Sequence, residues 1–250
     1  EVQTGATSAD EFLFLQVFHK TSGLLPSLLF FVSIFGPLVG ISLGFDSING
    51  ERTQGTLSRI LAQPVYRDAV FNGKFLAGIV TIAMIFVSMI VVVVSLGMVV
   101  MGYAPSGEEV LRLTGFGIVA VAYLSLWLAL AMTCSIFLRN TVASALVALS
   151  IWLFSTFFVQ LIAGAAANII VPEITSAADS LLHARIDQWI SRISPFTLFS
   201  EATNTLLDPA VRSLSLTLRE QLAELLPNPI SAGQSLRLVW PHIVALISAV

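Results

Sequence analysis

Few residues in this sequence could do chemistry. Gly40-Ile41-Ser42-Leu43-Gly44 matches the G-x-S-x-G pattern of a hydrolase nucleophile. That pattern needs a strand-turn-helix elbow and a histidine partner. Here it sits inside an uninterrupted apolar run, and His19, His183 and His242 all fall outside the four longest runs. Intramembrane hydrolysis is therefore a remote alternative. Gly73-Lys74 is followed by Phe75 and lacks the upstream glycine of a phosphate-binding loop, so the chain has no cradle for a nucleotide and no cofactor of its own is expected. The three His and five Met form no ligand-spaced cluster. Single methionines in apolar runs are usually gap fillers, and no metal site is expected. A single cysteine, Cys134, excludes an intramolecular disulfide.

What remains are residues whose spacing suits contact rather than reaction. Gly36, Gly40 and Gly44 recur every four residues, a face of small residues that lets another helix approach closely. Pro37 lies in the same run and displaces the helical bond to the Ser33 carbonyl, so a kink is expected. A kinked, glycine-faced helix fits a moving lever and a static packing surface equally.

The second set lies in residues 49–74, NGERTQGTLSRILAQPVYRDAVFNGK. This stretch holds Arg52, Arg59, Arg67 and Lys74, four of the twelve basic residues of the chain. Leu57, Ile60 and Leu61 form an apolar stripe at helical spacing. Gly55 and Thr56 precede it, with Thr56 suited to an N-cap, and Pro64 stops it. A helix of about two turns is too short to be stable alone. Its apolar side needs cover from the protein's own spans, the lipid interface or a partner.

The elements that position these residues follow from composition. The chain is 56% hydrophobic and 11% charged, with a net charge of −3 and a mean hydropathy of +0.90. Soluble domains carry about 25% charged residues, so the chain reads as an integral membrane protein without a nucleic-acid partner. Four runs are long enough to cross about 30 Å of hydrocarbon as helices: residues 24–45, 75–101, 115–138 and 142–170. Alternation typical of barrel strands is absent, and helices satisfy their own backbone in lipid. The expected fold is an all-α polytopic membrane protein. It comprises a single transmembrane domain over residues 1–250 with four full transmembrane helices. The final run, Ile243–Val250, is shorter than a span and the chain opens on Glu1. The expectation is a truncated last span, a further span before the first, and six in the complete protein.

Basic residues favour the cytoplasmic side in short loops. That rule places 49–74 and the Arg139 link in the cytoplasm. It places outside the loop 102–114, where Arg112 stands against Glu108 and Glu109, and the segment 171–241. In the latter, Leu182, Ile186, Trp189, Ile190 and Ile193 form one stripe, with Arg185, Asp187 and Arg192 opposite. Short amphipathic helices are expected there, lying in the interface or covering an outer mouth.

The loop GERTQGTLSRILAQPVYRDAVFNGKF resembles the first cytoplasmic loop of type-2 ABC exporter permeases. Glu51, Gly55-Thr56-Leu57, Pro64, Arg67 and Gly73-Lys74 carry the likeness. Ser194–Pro209, SPFTLFSEATNTLLDP, is similar to the external segment of the subgroup that includes the nitrous-oxide-reductase maturation and gliding-motility permeases. The resemblance implies a permease of the plasma membrane, working as a homodimer or pseudo-dimer with separate cytoplasmic ATPase subunits that supply ATP hydrolysis. It also implies a coupling role for Glu51, Gly55, Thr56, Leu57, Ile60, Leu61, Pro64 and Arg67, with the apolar residues in a groove of the ATPase and the charges setting register. Lys74 could instead mark the membrane boundary by snorkelling. The main alternative is an ion-coupled secondary transporter. Such proteins usually place ionisable groups within their spans, and the four runs hold none.

Overall fold

A computed structural model describes residues 27–56, 62, 66–102, 104–173, 176–207 and 232–249. The described residues are helical throughout, with no strand. The helices are α1 (Leu28–Gly44), α2 (Asn49–Thr53), α3 (Arg67–Met101), α4 (Gly107–Phe137), α5 (Thr141–Leu153), α6 (Val159–Ile170), α7 (Ala177–Ser191), α8 (Pro195–Leu207) and α9 (Ala232–Ser248). A single π-helical turn, Phe154–Phe158, joins α5 to α6. Four continuous stretches are long and apolar enough to cross a membrane: Leu28–Thr53, Asp68–Val100, Gly107–Phe137 and Thr141–Ile170.

Helix α4 is the hub. Its most apolar window is 72% buried, against 11% for α3 at the periphery. Between apolar helices in lipid, association depends on close packing rather than on exclusion of water, and α1 meets α4 through its glycines. A Cβ on Gly40 would stand 2.5 Å from the Leu124 carbonyl oxygen, and one on Gly44 would stand 2.7 Å from that of Leu128. Both obstacles are backbone, so neither can swing aside.

Pro37 lies inside α1, where its missing N–H orphans the Ser33 carbonyl. The buried Tyr123 hydroxyl of α4 donates to that oxygen at 3.0 Å. The Tyr123 ring stacks on Phe199 of α8, with centroids 4.4 Å apart and planes 13° from parallel. One side chain therefore joins α1, α4 and α8.

Two helices begin well before the hydrophobic runs that announce them. Hydropathy marks the hydrocarbon-facing part of a helix, whereas caps mark its end. Helix α4 starts at Gly107 rather than 115, because Ser106 and Glu109 form a reciprocal capping box. Helix α3 starts at Arg67 and ends against Gly102, whose φ of 79° is a left-handed cap. Arg112, expected in a loop, is consequently a buried residue of α4. Its guanidinium reaches Glu108 at 2.8 Å, the Leu206 carbonyl at 3.0 Å and Ser235 at 3.2 Å. It ties the end of α8 to α9.

The stretch expected to form short amphipathic helices, in the interface or over an outer mouth, is helical where described and packs along α6. Helix α7 runs back antiparallel along α6. His183 meets Asn168 at 2.9 Å, Ser191 donates to Gln160 at 3.1 Å, and Ser194 donates to the Ser155 carbonyl at 2.7 Å. Ser155 lies half-way along Thr141–Ile170, so the α7–α8 hairpin reaches the middle of the span before α8 turns back. The last helix also begins at Ala232, not at residue 243, and carries Pro241 within it.

Two stability tests follow. Gly40→Val is expected to lower the melting temperature in detergent, at a cost of about 1–3 kcal/mol from overpacking. Gly73→Ala, where an added Cβ meets nothing within 4 Å, should be neutral or slightly stabilising. Tyr123→Phe should cost about 1–3 kcal/mol by stranding the buried Ser33 carbonyl. Pro37→Ala restores a backbone N–H for that oxygen, so it should recover stability in the Tyr123→Phe background and not in the wild type. A denaturation cycle over the four proteins measures this, and simple additivity would exclude the latch.

Candidate functional site

The loop-bearing end of the molecule is built on the junction between α1 and α2. Four residues from Asp46 to Asn49 connect this junction to three other helices. The Ile48 and Asn49 amides both donate to the Ser135 hydroxyl of α4, at 3.2 and 3.0 Å. The Thr141 hydroxyl at the start of α5 donates to Asp46 Oδ1 at 3.1 Å. Lys74 of α3 donates to the Ser47 carbonyl at 2.6 Å and pairs with Glu51 Oε1 at 2.6 Å. Asn49 is 1% exposed, and its Oδ1 accepts from Arg52 at 3.3 Å. The chain thus leaves the first span through a polar knot that holds α1, α3, α4 and α5 together.

Some of the residues singled out in the sequence can be placed in this knot. Glu51 faces inward onto Lys74, and its second oxygen is buried without a partner among the described residues. Lys74 therefore braces the loop from within the protein. Gly55 has a φ of 71° and follows the last turn of α2, its amide bonding to the Arg52 carbonyl at 3.2 Å. This is the left-handed position just past a helix end, which glycine occupies at little cost. The sequence reading missed α2, and with it this reason for Gly55. The Thr56 hydroxyl donates backward to the Glu51 carbonyl at 3.2 Å. Leu57, Ile60, Leu61 and Pro64 lie outside the described residues, as does the side chain of Arg67, whose backbone opens α3.

Ser42, the candidate nucleophile, spends its hydroxyl on the Val39 carbonyl of its own helix at 2.8 Å. His183 and His242 bond instead to Asn168 and Glu201, on the hairpin side. No group of three or more metal-ligating side chains occurs among the described residues.

A second polar cluster lies where the hairpin turns. Glu201 of α8 accepts from Gln188 at 3.0 Å, from Arg192 Nε at 2.9 Å and from His242 Nε2 at 3.0 Å. Gln160 donates to Thr197 at 2.5 Å. The sequence showed the α7 stripe but not which way it faced. Trp189 and Ile193 are 70% and 74% exposed and Leu182 is exposed with them, whereas Ile186 and Ile190 are half-buried; of the polar residues opposite, Asp187 and Arg192 are half-buried and Arg185 is exposed. Large apolar side chains on the open face suit a helix with apolar material on that side.

With this geometry established, comparison with known families becomes informative. The model of the ABC-2 family transporter proteins matches residues 2–236. The chain belongs to that family. No curated protein matches it. As a family member with four apolar helices of spanning length, it is a multi-pass membrane permease component of an ABC transporter.

The knot gives a test in this permease. Lys74→Ala should leave the partly buried Glu51 carboxylate uncompensated and lower stability by about 1.5–3 kcal/mol. The Glu51→Ala, Lys74→Ala double variant should lose less than the sum of the single losses. Thermal melts of the four proteins in detergent give the coupling, and a zero value would mean that the pair does not brace the loop.

Proposed function

We propose that this permease moves its substrate outward across the plasma membrane, driven by a separate cytoplasmic ABC ATPase that docks on residues 49–74, and that it works with a second permease copy. The observation that carries this reading is the polar knot under the loop. Ser135, Thr141 and Lys74 connect the α1–α2 junction to α4, α5 and α3. A push on the loop is therefore shared at once among these helices. The glycine contacts carry it along α1, because Gly40 and Gly44 leave no slack against the α4 backbone. Leu57, Ile60 and Leu61 supply an apolar stripe for a groove on the ATPase, with Gly55 and Thr56 before it, Pro64 after it, and Arg67 and Arg59 as charges at the rim. ATP acts in that partner, since the chain lacks a phosphate-binding loop.

The test is co-purification from the native membrane in mild detergent. Wild type should bring down an ABC ATPase, and Leu57→Asp or Leu61→Asp should lose it while remaining inserted and folded. In reconstituted vesicles the same variants should stop ATP-driven substrate movement. Normal coupling in a folded Leu61→Asp protein would sink the assignment of the docking helix.

A further inference from the structure

The cluster at the turn of the hairpin has unused donors. Both oxygens of Glu201 are engaged, Oε1 by Gln188 and Oε2 by Arg192 Nε and His242. Arg192 is not fully engaged. Among the described residues its guanidinium uses only Nε, and both terminal nitrogens lack a protein partner. The side chain is 29% exposed. It lies over the Trp189 ring, 5.8 Å from the centroid, with Ile193 beside it and as open as Trp189.

Depth gives these unpaired donors their meaning. Arg192 lies between Ser191, bonded to Gln160, and Ser194, bonded to Ser155. It therefore sits near the middle of the span that runs from Thr141 to Ile170. A charged side chain at this depth faces a bundle interior, a water-filled path or a ligand, and such residues mark substrate routes. A planar guanidinium with free N–H groups is shaped for the two oxygens of a carboxylate or phosphate. The flanking groups are apolar, so they suit a hydrocarbon tail and not a second charge. Of the two acids on α7, Asp179 lies in its first turn and Asp187 lies about a turn and a half from Arg192, against Gly164.

We propose that Arg192, with Trp189 and Ile193, forms a binding site for the anionic head group of a single-chain amphiphile, the chemical class of cargo this permease carries. Glu201, itself held by Gln188 and His242, positions the guanidinium through its Nε side and leaves its outer edge free. The inference rests on the permease reading only for the word cargo. Binding itself requires no ATPase.

The test uses Trp189 as reporter in a Trp240→Phe protein, since Trp127 and Trp152 are buried. The protein is kept in a neutral maltoside detergent. A dodecyl phosphate brominated on its chain is compared with a dodecyltrimethylammonium brominated at the same carbon. The phosphate should quench Trp189 at a concentration at least tenfold lower. Arg192→Gln should erase the difference, and Arg192→Lys should retain part of it, because the charge remains without the fork. Inorganic phosphate in hundredfold excess should fail to relieve the quenching. Equal quenching by the two probes in the Trp240→Phe protein, which needs no change at Arg192, would overturn the proposal. Relief by inorganic phosphate would overturn the amphiphile in favour of a free anion. A co-purifying ATPase alongside absent charge preference would sink this inference and leave the permease reading intact.

Discussion

A backbone carbonyl in hydrocarbon has no water to turn to, and Pro37 creates one such carbonyl at Ser33. The hydroxyl of Tyr123 donates to it from the neighbouring helix. The arrangement around it follows from that need. Tyr123 must sit on the α4 face against α1, which the glycines of α1 make possible by bringing the two backbones close. The ring then presents its other side to Phe199, so α8 is held against the same hub. A defect in one helix becomes the contact that orders three.

The two ends of the molecule are held differently. At the loop-bearing end, short polar side chains bond backbone groups across helices, as Ser135, Thr141 and Lys74 do. At the opposite end a single buried arginine, Arg112, gathers α4, α8 and α9. The middle is almost wholly apolar except where the hairpin brings Glu201 and its donors inward. Polar contacts at both ends with packing between them suit a body that transmits displacement without bending.

Much of this was legible in the sequence. The spans followed from length and hydropathy, since about 20 apolar residues have no other stable fate in a bilayer. The glycine face followed from a four-residue period. The helix ends were less legible. Ser106, Glu109 and Arg112 are polar, so a hydropathy reading assigned them to a loop, while the capping box makes them helix. Asn49 to Thr53 read as the start of a loop because a five-residue helix has too short a pattern to register.

The sequence by itself determined that this is an all-helical membrane protein, which helix faces approach closely, and where a backbone bond is lost. These are properties of neighbours in the chain: composition, period, and the missing N–H of a proline. Only the tertiary structure decided which group repairs that bond, which acid Lys74 meets, and that Trp189 and Ile193 of α7 face outward while Glu201 collects its donors inside. Tyr123 is 90 residues from Ser33, and His242 is 41 from Glu201. Over such separations sequence order says nothing about proximity. The need of every buried polar group for a partner becomes a particular contact only once the helices are in place.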